Sequence, residues 1–138
     1  MQIISGSVYD TRNFGSFIAR KAEQGDVIAL IGNLGAGKTE FARGFIAEFL
    51  SNVNVKSPSF SLVNTYSADK IIIHHFDFYR LSIADELIEI GFEEYLDGYA
   101  ICLIEWADKF PEVLPPATKY YYFYDGRDNT RILRDSPK

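Results

Sequence analysis

The fold of this chain is decided by one stretch, Gly32-Asn33-Leu34-Gly35-Ala36-Gly37-Lys38-Thr39. It fits the pattern G-x-x-x-x-G-K-[ST], in which the backbone N–H groups of a glycine-rich turn point into one concavity and hold phosphate oxygens. We expect the Lys38 ammonium to be exposed in this loop and to reach the β- and γ-phosphates of a nucleotide, and the Thr39 hydroxyl to ligate Mg²⁺. The predicted phosphate-binding residues are Asn33, Leu34, Gly35, Ala36, Gly37, Lys38 and Thr39.

The residues on either side of this loop supply the context that the pattern requires. Before it, Val27 to Ile31 form an apolar run without alternation, which is typical of a strand covered on both faces. After it, a helix is predicted from about Lys38 to Leu50, because apolar residues recur at helical spacing. The start of that helix directs the positive end of its dipole at the loop. This strand–turn–helix order favours a phosphate-binding loop over an ordinary glycine-rich turn with a surface lysine.

Two acidic residues follow other predicted strands. Asp77 comes directly after the run Ile71 to Phe76, and Glu105 comes directly after Ala100 to Ile104. Because ligands gather outside the carboxyl ends of strands in open α/β sheets, both acids are expected beside the loop. Asp77 is predicted to contact Mg²⁺, and Glu105 to position an attacking water or to help hold the cation. The alternatives, a turn or cap residue for Asp77 and a surface glutamate for Glu105, stay open.

Two adjacent histidines, His74 and His75, lie within the strand that precedes Asp77. Neighbouring residues of a strand point to opposite faces of the sheet, so the two rings cannot easily ligate one ion. Packing or hydrogen-bonding roles are therefore favoured for both.

The N-terminal segment predicts a further helix. Asp10 or Thr11 is expected to cap it, and Gly25 to mark its end. The predicted apolar face of this helix consists of Phe14, Phe17, Ile18 and Ala22.

The remaining elements are shorter. Residues 57–66 are expected to be extended, and a turn at 67–70 leads into the strand that carries the histidines. A capping box at 82–85 predicts a helix that ends at Gly91, and residues 120–133 predict a hairpin. The buried side chains of the helix after the capping box are expected to be Ile83, Leu87 and Ile90.

Strands that alternate with helices predict an α/β fold. The expected architecture is a three-layer fold of the P-loop NTPase type, with a mostly parallel central sheet and antiparallel strands toward an edge. The length of 138 residues fits one domain, so residues 1–138 are predicted to form a single P-loop domain.

Composition excludes several classes of protein. A chain that is 47% hydrophobic can bury a real core, and its single cysteine, Cys102, is expected to be a buried reduced thiol. No apolar run is long enough to span a membrane, and the N-terminus lacks the features of a signal peptide. The net charge of −5 disfavours direct binding to DNA or RNA. Residues 81–97 carry six acids and no Lys or Arg, which is read as a solvated face in preference to a docking surface.

Several nucleotide-binding classes are disfavoured because their motifs are absent. A GTPase would carry Asn-Lys-x-Asp for guanine, and the nearest match, residues 54–57, reads Asn-Val-Lys-Ser. The chain has no Ser-Gly-Gly-Gln signature of an ABC ATPase. It also shows no arginine cluster of the kind that a small-molecule kinase uses as a basic lid.

The chain resembles the TsaE (YjeE) family, the ATPase component of bacterial tRNA threonylcarbamoyladenosine synthesis. The residues that carry this resemblance are the glycine-rich loop, then Ser57-Pro58-Ser59-Phe60-Ser61-Leu62-Val63, His75-Phe76-Asp77-Phe78-Tyr79-Arg80-Leu81 and Ile104-Glu105-Trp106, in that order. The resemblance implies binding of ATP and Mg²⁺, weak hydrolysis, and partnership with TsaD and TsaB. It further implies a cytoplasmic protein. The net charge and the short apolar runs predict contact with tRNA only through that complex, and no role for membranes or DNA.

By the same resemblance, Lys38, Asp77 and Glu105 are catalytic, and Thr39, Asp77 and Glu105 are the metal ligands. Thr11 would lie by the nucleotide, although a simple helix cap is an equal alternative. The sequence departs from the family pattern at Glu40, where a second Thr is common, and at Ser59, where Thr is common. Ser59 keeps a hydroxyl for contact with the nucleotide. Glu40 puts an acid within one turn of the phosphates, which predicts looser nucleotide binding, partly offset by the helix dipole.

Two other functions stay open from the residues alone. One is a small-molecule or sugar kinase that uses the same loop. The other is a nucleotide-gated binding module with negligible turnover.

Overall fold

The computed structural model describes residues 1–138, and all strands lie in one seven-stranded sheet. The strands are β1 (Gln2–Ser5), β2 (Val27–Gly32), β3 (Val63–Ala68), β4 (Ile71–Asp77), β5 (Ile101–Glu105), β6 (Lys119–Asp125) and β7 (Arg131–Arg134). The helices are α1 (Val8–Ala19), α2 (Lys38–Phe49), α3 (Asp85–Glu89) and α4 (Phe92–Tyr95). Two short 3₁₀ turns span Ala107–Lys109 and Pro111–Val113.

The strand order in the sheet is β1-β7-β6-β2-β5-β4-β3. The four central strands pair in parallel, whereas β3 pairs with β4, and β7 pairs with both β6 and β1, in antiparallel register. This confirms the predicted α/β sheet with a parallel centre and shows that antiparallel strands close both edges. The predicted C-terminal hairpin is β6–β7. β1 is not evident in the sequence pattern, because four residues are too few to show a period.

Helices and turns cover both faces of the sheet. On one face α1 and α2 pack against each other and bury the larger apolar core. They approach closely because Gly44 of α2 lies against the backbone of Arg12, where a Cβ would overlap the carbonyl. On the other face α3, α4 and the 3₁₀ turns cover a second core. β2 supplies side chains to both cores, as its unalternating sequence predicts.

α1 begins earlier than the sequence pattern predicts. Its N-cap is Ser7, whose hydroxyl accepts a hydrogen bond from the Asp10 N–H at 3.1 Å. The prediction of Asp10 or Thr11 as the cap is therefore wrong, and both residues lie inside the helix. Ser7 caps the helix because its side chain reaches the N–H of the third helical residue.

The end and the apolar face of α1 also differ from the prediction. The helix ends at Ala19, so Ala22 lies beyond it, although Ala22 still packs on the core. Phe17 is 37% exposed and flanks the buried stripe. Gly25 adopts a positive φ of 86° in the turn before β2, so it shapes that turn and does not end the helix.

Two segments around β4 are less regular than predicted. Residues 59–62 form a turn and a bend, and the strand begins only at Val63. Behind β4, Gly91 has a φ of +72° and separates two short helices, α3 and α4. The predicted helix corresponds to α3, which ends at Glu89, close to the predicted end at Gly91. Of its three predicted core residues only Leu87 is buried, whereas Ile83 and Ile90 are exposed. The prediction is wrong there because five helical residues cannot present a full apolar stripe.

The single cysteine, Cys102, is free and buried, and burial raises the pKa of its thiol to about 12.

Each helix is too short, or too polar, to cross a lipid bilayer.

Candidate nucleotide-binding site

The loop between β2 and α2 has the conformation that its glycines predict. Gly35 and Gly37 have φ angles of +77° and +106°, a region where other residues are strained. Gly32 lies so close to Phe123 of β6 that a Cβ would overlap its backbone. Gly37 is the N-cap of α2, and the unpaired N–H groups of the first helical turn lie at the loop. These features form an anion-binding cradle at the start of a twelve-residue helix.

A cleft of about 360 Å³ opens beside the loop and contains both predicted acids. β4 and β5 end together, because Asp77 is paired with Glu105 in their parallel register. The cleft is lined by residues 34–40, which belong to the loop and the start of α2. Its remaining wall is formed by Ser57, Ser59, Tyr79 and Trp106. The predicted meeting of three strand ends is therefore present in the structure.

Glu105 is held by contacts from two other elements. The Thr39 hydroxyl of α2 donates to its carboxylate at 2.9 Å from Oε1 and 3.1 Å from Oε2. The ring of His75 on β4 lies with Nε2 2.6 Å from Oε2. Glu105 is only 3% exposed, so the alternative of a surface glutamate is excluded.

Asp77 is also buried but makes a different contact. Its Oδ1 accepts a hydrogen bond from the Tyr79 N–H at 2.9 Å, so the carboxylate does support a local turn, as the simpler alternative expected. Burial raises the pKa of Asp77 above its usual value, and the neighbouring charge of Glu105 acts in the same direction. The Tyr79 N–H bond and the charge of Lys38 lower it. A cationic ligand would stabilise the ionised form of Asp77.

Lys38 is folded into the site, and the expectation of an exposed ammonium is wrong. The side chain is 4% exposed, and Nζ donates to the carbonyls of Gly32 and Asn33. Nζ also lies 3.7 Å from the centre of the Trp106 ring, in a cation–π contact. Burial lowers the pKa of Lys38, against the opposing charges of Glu105 and Asp77. The lysine is buried because the loop carbonyls and the indole enclose it.

Two of the predicted residues lie away from this cleft. Thr11 is 3% exposed, and its hydroxyl is 2.7 Å from that of Ser5. It lines a separate pocket of about 180 Å³ on another side of the loop, which also contacts Gly35 and Gly37. Asn33 is exposed and lies outside the lining of both pockets. The structure therefore places Thr11 beside the loop but not beside the acids, and its contact with a nucleotide stays a prediction.

The amino-acid sequence also matches a known protein family. The family profile described as "Threonylcarbamoyl adenosine biosynthesis protein TsaE" matches residues 5–133. The chain belongs to the TsaE family. The assignment rests on nearly the whole sequence and agrees with the resemblance carried by the four motifs.

Individual relatives support this membership. Two of them are named tRNA threonylcarbamoyladenosine biosynthesis protein TsaE. The one from Rickettsia prowazekii is 42% identical over 108 residues, covering 78% of this chain and 74% of the relative. The one from Treponema pallidum is 34% identical over 118 residues, covering 86% and 87%. The crystal structure of Bacillus subtilis YdiB matches 96% of this chain and 82% of its own with a TM-score of 0.80 and 30% identity.

Both departures from the TsaE pattern can be located. Ser59 is half-buried and lines the cleft, so its hydroxyl is available there. Glu40 accepts from Arg12 Nε at 2.6 Å and from Arg43, so two guanidinium groups compensate its charge. These ion pairs reduce the electrostatic cause of the looser nucleotide binding predicted for Glu40.

Some contacts within the site could not be predicted from the sequence. Trp106 adopts a left-handed conformation with a φ of +58°, which turns its ring under the Lys38 ammonium. Tyr79 packs on the same indole, with ring centres 4.8 Å apart. Arg131 of the C-terminal hairpin donates to the Gly35 carbonyl at 3.2 Å. These contacts join distant parts of the chain, and no local pattern signals them.

The Lys38–Trp106 contact leads to a spectroscopic prediction. Adding nucleotide with Mg²⁺ should change the emission of Trp106, the only tryptophan, because phosphates would draw the ammonium away from the indole. The measurement is a fluorescence titration with a non-hydrolysable ATP analogue. The variant Lys38→Ala is the control and should show a smaller response. An unchanged spectrum under saturating analogue would contradict the prediction.

Proposed function

We propose that this protein binds and hydrolyses ATP in support of tRNA threonylcarbamoyladenosine synthesis. The modified base would be the adenosine beside the anticodon in tRNAs that read codons beginning with A. Membership of the TsaE family supports the pathway. The single observation that supports ATP chemistry is the glycine-rich loop whose cleft also contains Thr39, Asp77 and Glu105.

Phosphate binding is assigned to the loop and to Lys38. The backbone N–H groups of residues 33–39 would hold the phosphate oxygens, with the start of α2 favouring negative charge. Lys38 would exchange its present contacts with loop carbonyls for the β- and γ-phosphates. A flexible lysine stem and a compact ammonium suit such an exchange.

The residues present fit Mg²⁺. Thr39, Asp77 and Glu105 offer hard oxygen donors, which this cation prefers. No cluster of three or more His, Cys, Asp or Glu side chains has the geometry of an all-protein metal site. That agrees with a cation that shares its ligands with nucleotide phosphates, as Mg²⁺ commonly does. When bound, Mg²⁺ would neutralise charge that develops on the phosphates.

Thr39 and Glu105 would act as a pair. In the structure the Thr39 hydroxyl donates a hydrogen bond to Glu105, so the lone pairs of its oxygen stay free to face a cation. The Glu105 carboxylate still has lone-pair positions that could orient a water molecule. These two roles, a contact near the metal and the positioning of water, are those proposed for Glu105.

The proposed partners are TsaD and TsaB, in the cytoplasm, with tRNA reached only through their complex. The net charge of −5 supports the last point, because a chain that binds nucleic-acid backbone usually carries a positive patch. We expect slow hydrolysis by the isolated chain. A group supplied in trans to a P-loop site can be worth roughly 10³–10⁵ in rate, so partners should accelerate it.

The test measures ATP hydrolysis and tRNA modification together. The chain is assayed alone, with TsaB and TsaD, and with both partners, tRNA and a threonylcarbamoyl donor. The expected results are acceleration by partners and more than one modified adenosine per TsaD, with cycling that stops in the Lys38→Ala variant. Phosphate transfer to a small acceptor would instead indicate a kinase. Continued cycling in the variant would contradict the proposal.

A further inference from the structure

His75 is a buried polar side chain at the base of the candidate site. It lies on β4 two residues before Asp77 and therefore faces the same side of the sheet. The residue is 0% exposed. Its ring makes one hydrogen bond, between Nε2 and Glu105 Oε2 at 2.6 Å, while Nδ1 has no partner. The only polar contact of this ring is therefore with Glu105.

The direction of this hydrogen bond follows from its acceptor. An ionised carboxylate can only accept hydrogen bonds, so Nε2 carries the ring proton and donates a hydrogen bond to Glu105. The Thr39 hydroxyl donates to the same carboxylate from α2. Donors from two separate elements thus hold Glu105, and together they fix the rotation of its carboxylate about the terminal bond.

Stability alone does not account for a histidine at this position. Burying a polar imidazole ring costs desolvation free energy, and an apolar side chain of similar size would avoid that cost. The preceding inward-facing residue of β4, Ile73, is apolar and fully buried. What His75 adds beyond packing is the hydrogen bond to Glu105.

We propose that His75 is a positioning residue for Glu105. It keeps the carboxylate turned toward Thr39 and the cleft in one orientation, and it acts through Glu105 without touching the nucleotide. The inference rests on the proposed ATP hydrolysis, in which Glu105 takes part. Partners that orient a catalytic or metal-binding group in this way affect turnover strongly when removed.

The test compares three variants of the full chain, with TsaB and TsaD present. His75→Leu should lower kcat for ATP about 10–100-fold, while the KM for ATP and the melting temperature stay close to wild type. His75→Gln carries an amide N–H near the position of Nε2 and should recover most of the rate. His74→Leu is the matched control, because its ring points to the opposite face, bonds Thr65 and packs on Tyr95. It should keep the wild-type kcat.

The outcomes separate this inference from the proposed function. A wild-type kcat in His75→Leu, or a Gln variant as slow as the Leu variant, would overturn the positioning role while ATP hydrolysis stands. If the wild type hydrolyses no ATP, the proposed function fails. Nitrogen NMR of the His75 ring then tests the hydrogen bond to Glu105 directly. A ring protonated on Nε2, with a signal that shifts in Glu105→Gln, supports the inference. A ring protonated on Nδ1 overturns it.

Discussion

Lys38→Ala is expected to lower the rate of ATP hydrolysis by about 100-fold or more. A hydrogen bond to a charged group is worth about 1.5–3 kcal/mol, and two such bonds to phosphate would be lost together. Since about 1.4 kcal/mol corresponds to a factor of ten, the loss of two bonds reaches at least that size. The measurement is steady-state hydrolysis with TsaB and TsaD, which separates kcat from KM.

The burial of Lys38 changes what this variant should do to stability. The lysine packs on Trp106 and donates to loop carbonyls, so its removal loses contacts. It also relieves the desolvation of a buried ammonium, which acts in the opposite direction. We therefore expect a nearly unchanged melting temperature. A large drop in that temperature would show that the lysine is mainly structural.

Lys21→Ala is the matched control for this variant. The Lys21 ammonium also lies over an aromatic ring, 4.3 Å from the centre of Phe17, but on an exposed residue after α1. Its removal deletes a cation–π contact without touching the loop. Hydrolysis should therefore stay at the wild-type rate. Equal losses in both variants would mean that the effect does not come from phosphate contacts.

Glu105→Gln should reduce turnover more than it reduces nucleotide affinity. The substitution keeps the shape of the side chain and an acceptor oxygen, but it removes the negative charge. A group that orients water or helps to hold a cation acts mainly in the transition state, so kcat should fall while affinity changes less. Misplacing a reacting group can cost about 10²-fold in rate, so a fall in kcat of at least that size is expected.

Glutamine is a better replacement here than alanine. In Glu105→Ala the His75 N–H and the Thr39 hydroxyl would both lose their acceptor in a buried position, which costs stability as well as activity. The melting temperature of the alanine variant should consequently fall below that of the glutamine variant. Glu94→Gln, on the exposed surface of α4, serves as the control. An unchanged rate in Glu105→Gln would limit the residue to a structural role.

Elements whose signals are local could be predicted from the amino-acid sequence. The loop at residues 32–39 and the apolar runs of β2 and β5 each show their structure within about ten residues. The meeting of Asp77 and Glu105 could also be predicted, because parallel strands place their carboxyl ends at one edge. What failed was local detail, such as the start of α1, where Ser7 caps the helix instead of Asp10 or Thr11.

Contacts between residues far apart in the chain could not be predicted and follow from tertiary packing. Glu105 bonds to Thr39 across 66 positions and to His75 across 30. β1 exists as a strand because β7, from the other end of the chain, supplies its hydrogen-bond partners. Lys38 is buried because the left-handed turn at Trp106 brings an indole beneath it. Periodicity and turn chemistry report on neighbours along the chain, whereas these contacts depend on which distant side chains the packed sheet brings within hydrogen-bonding distance.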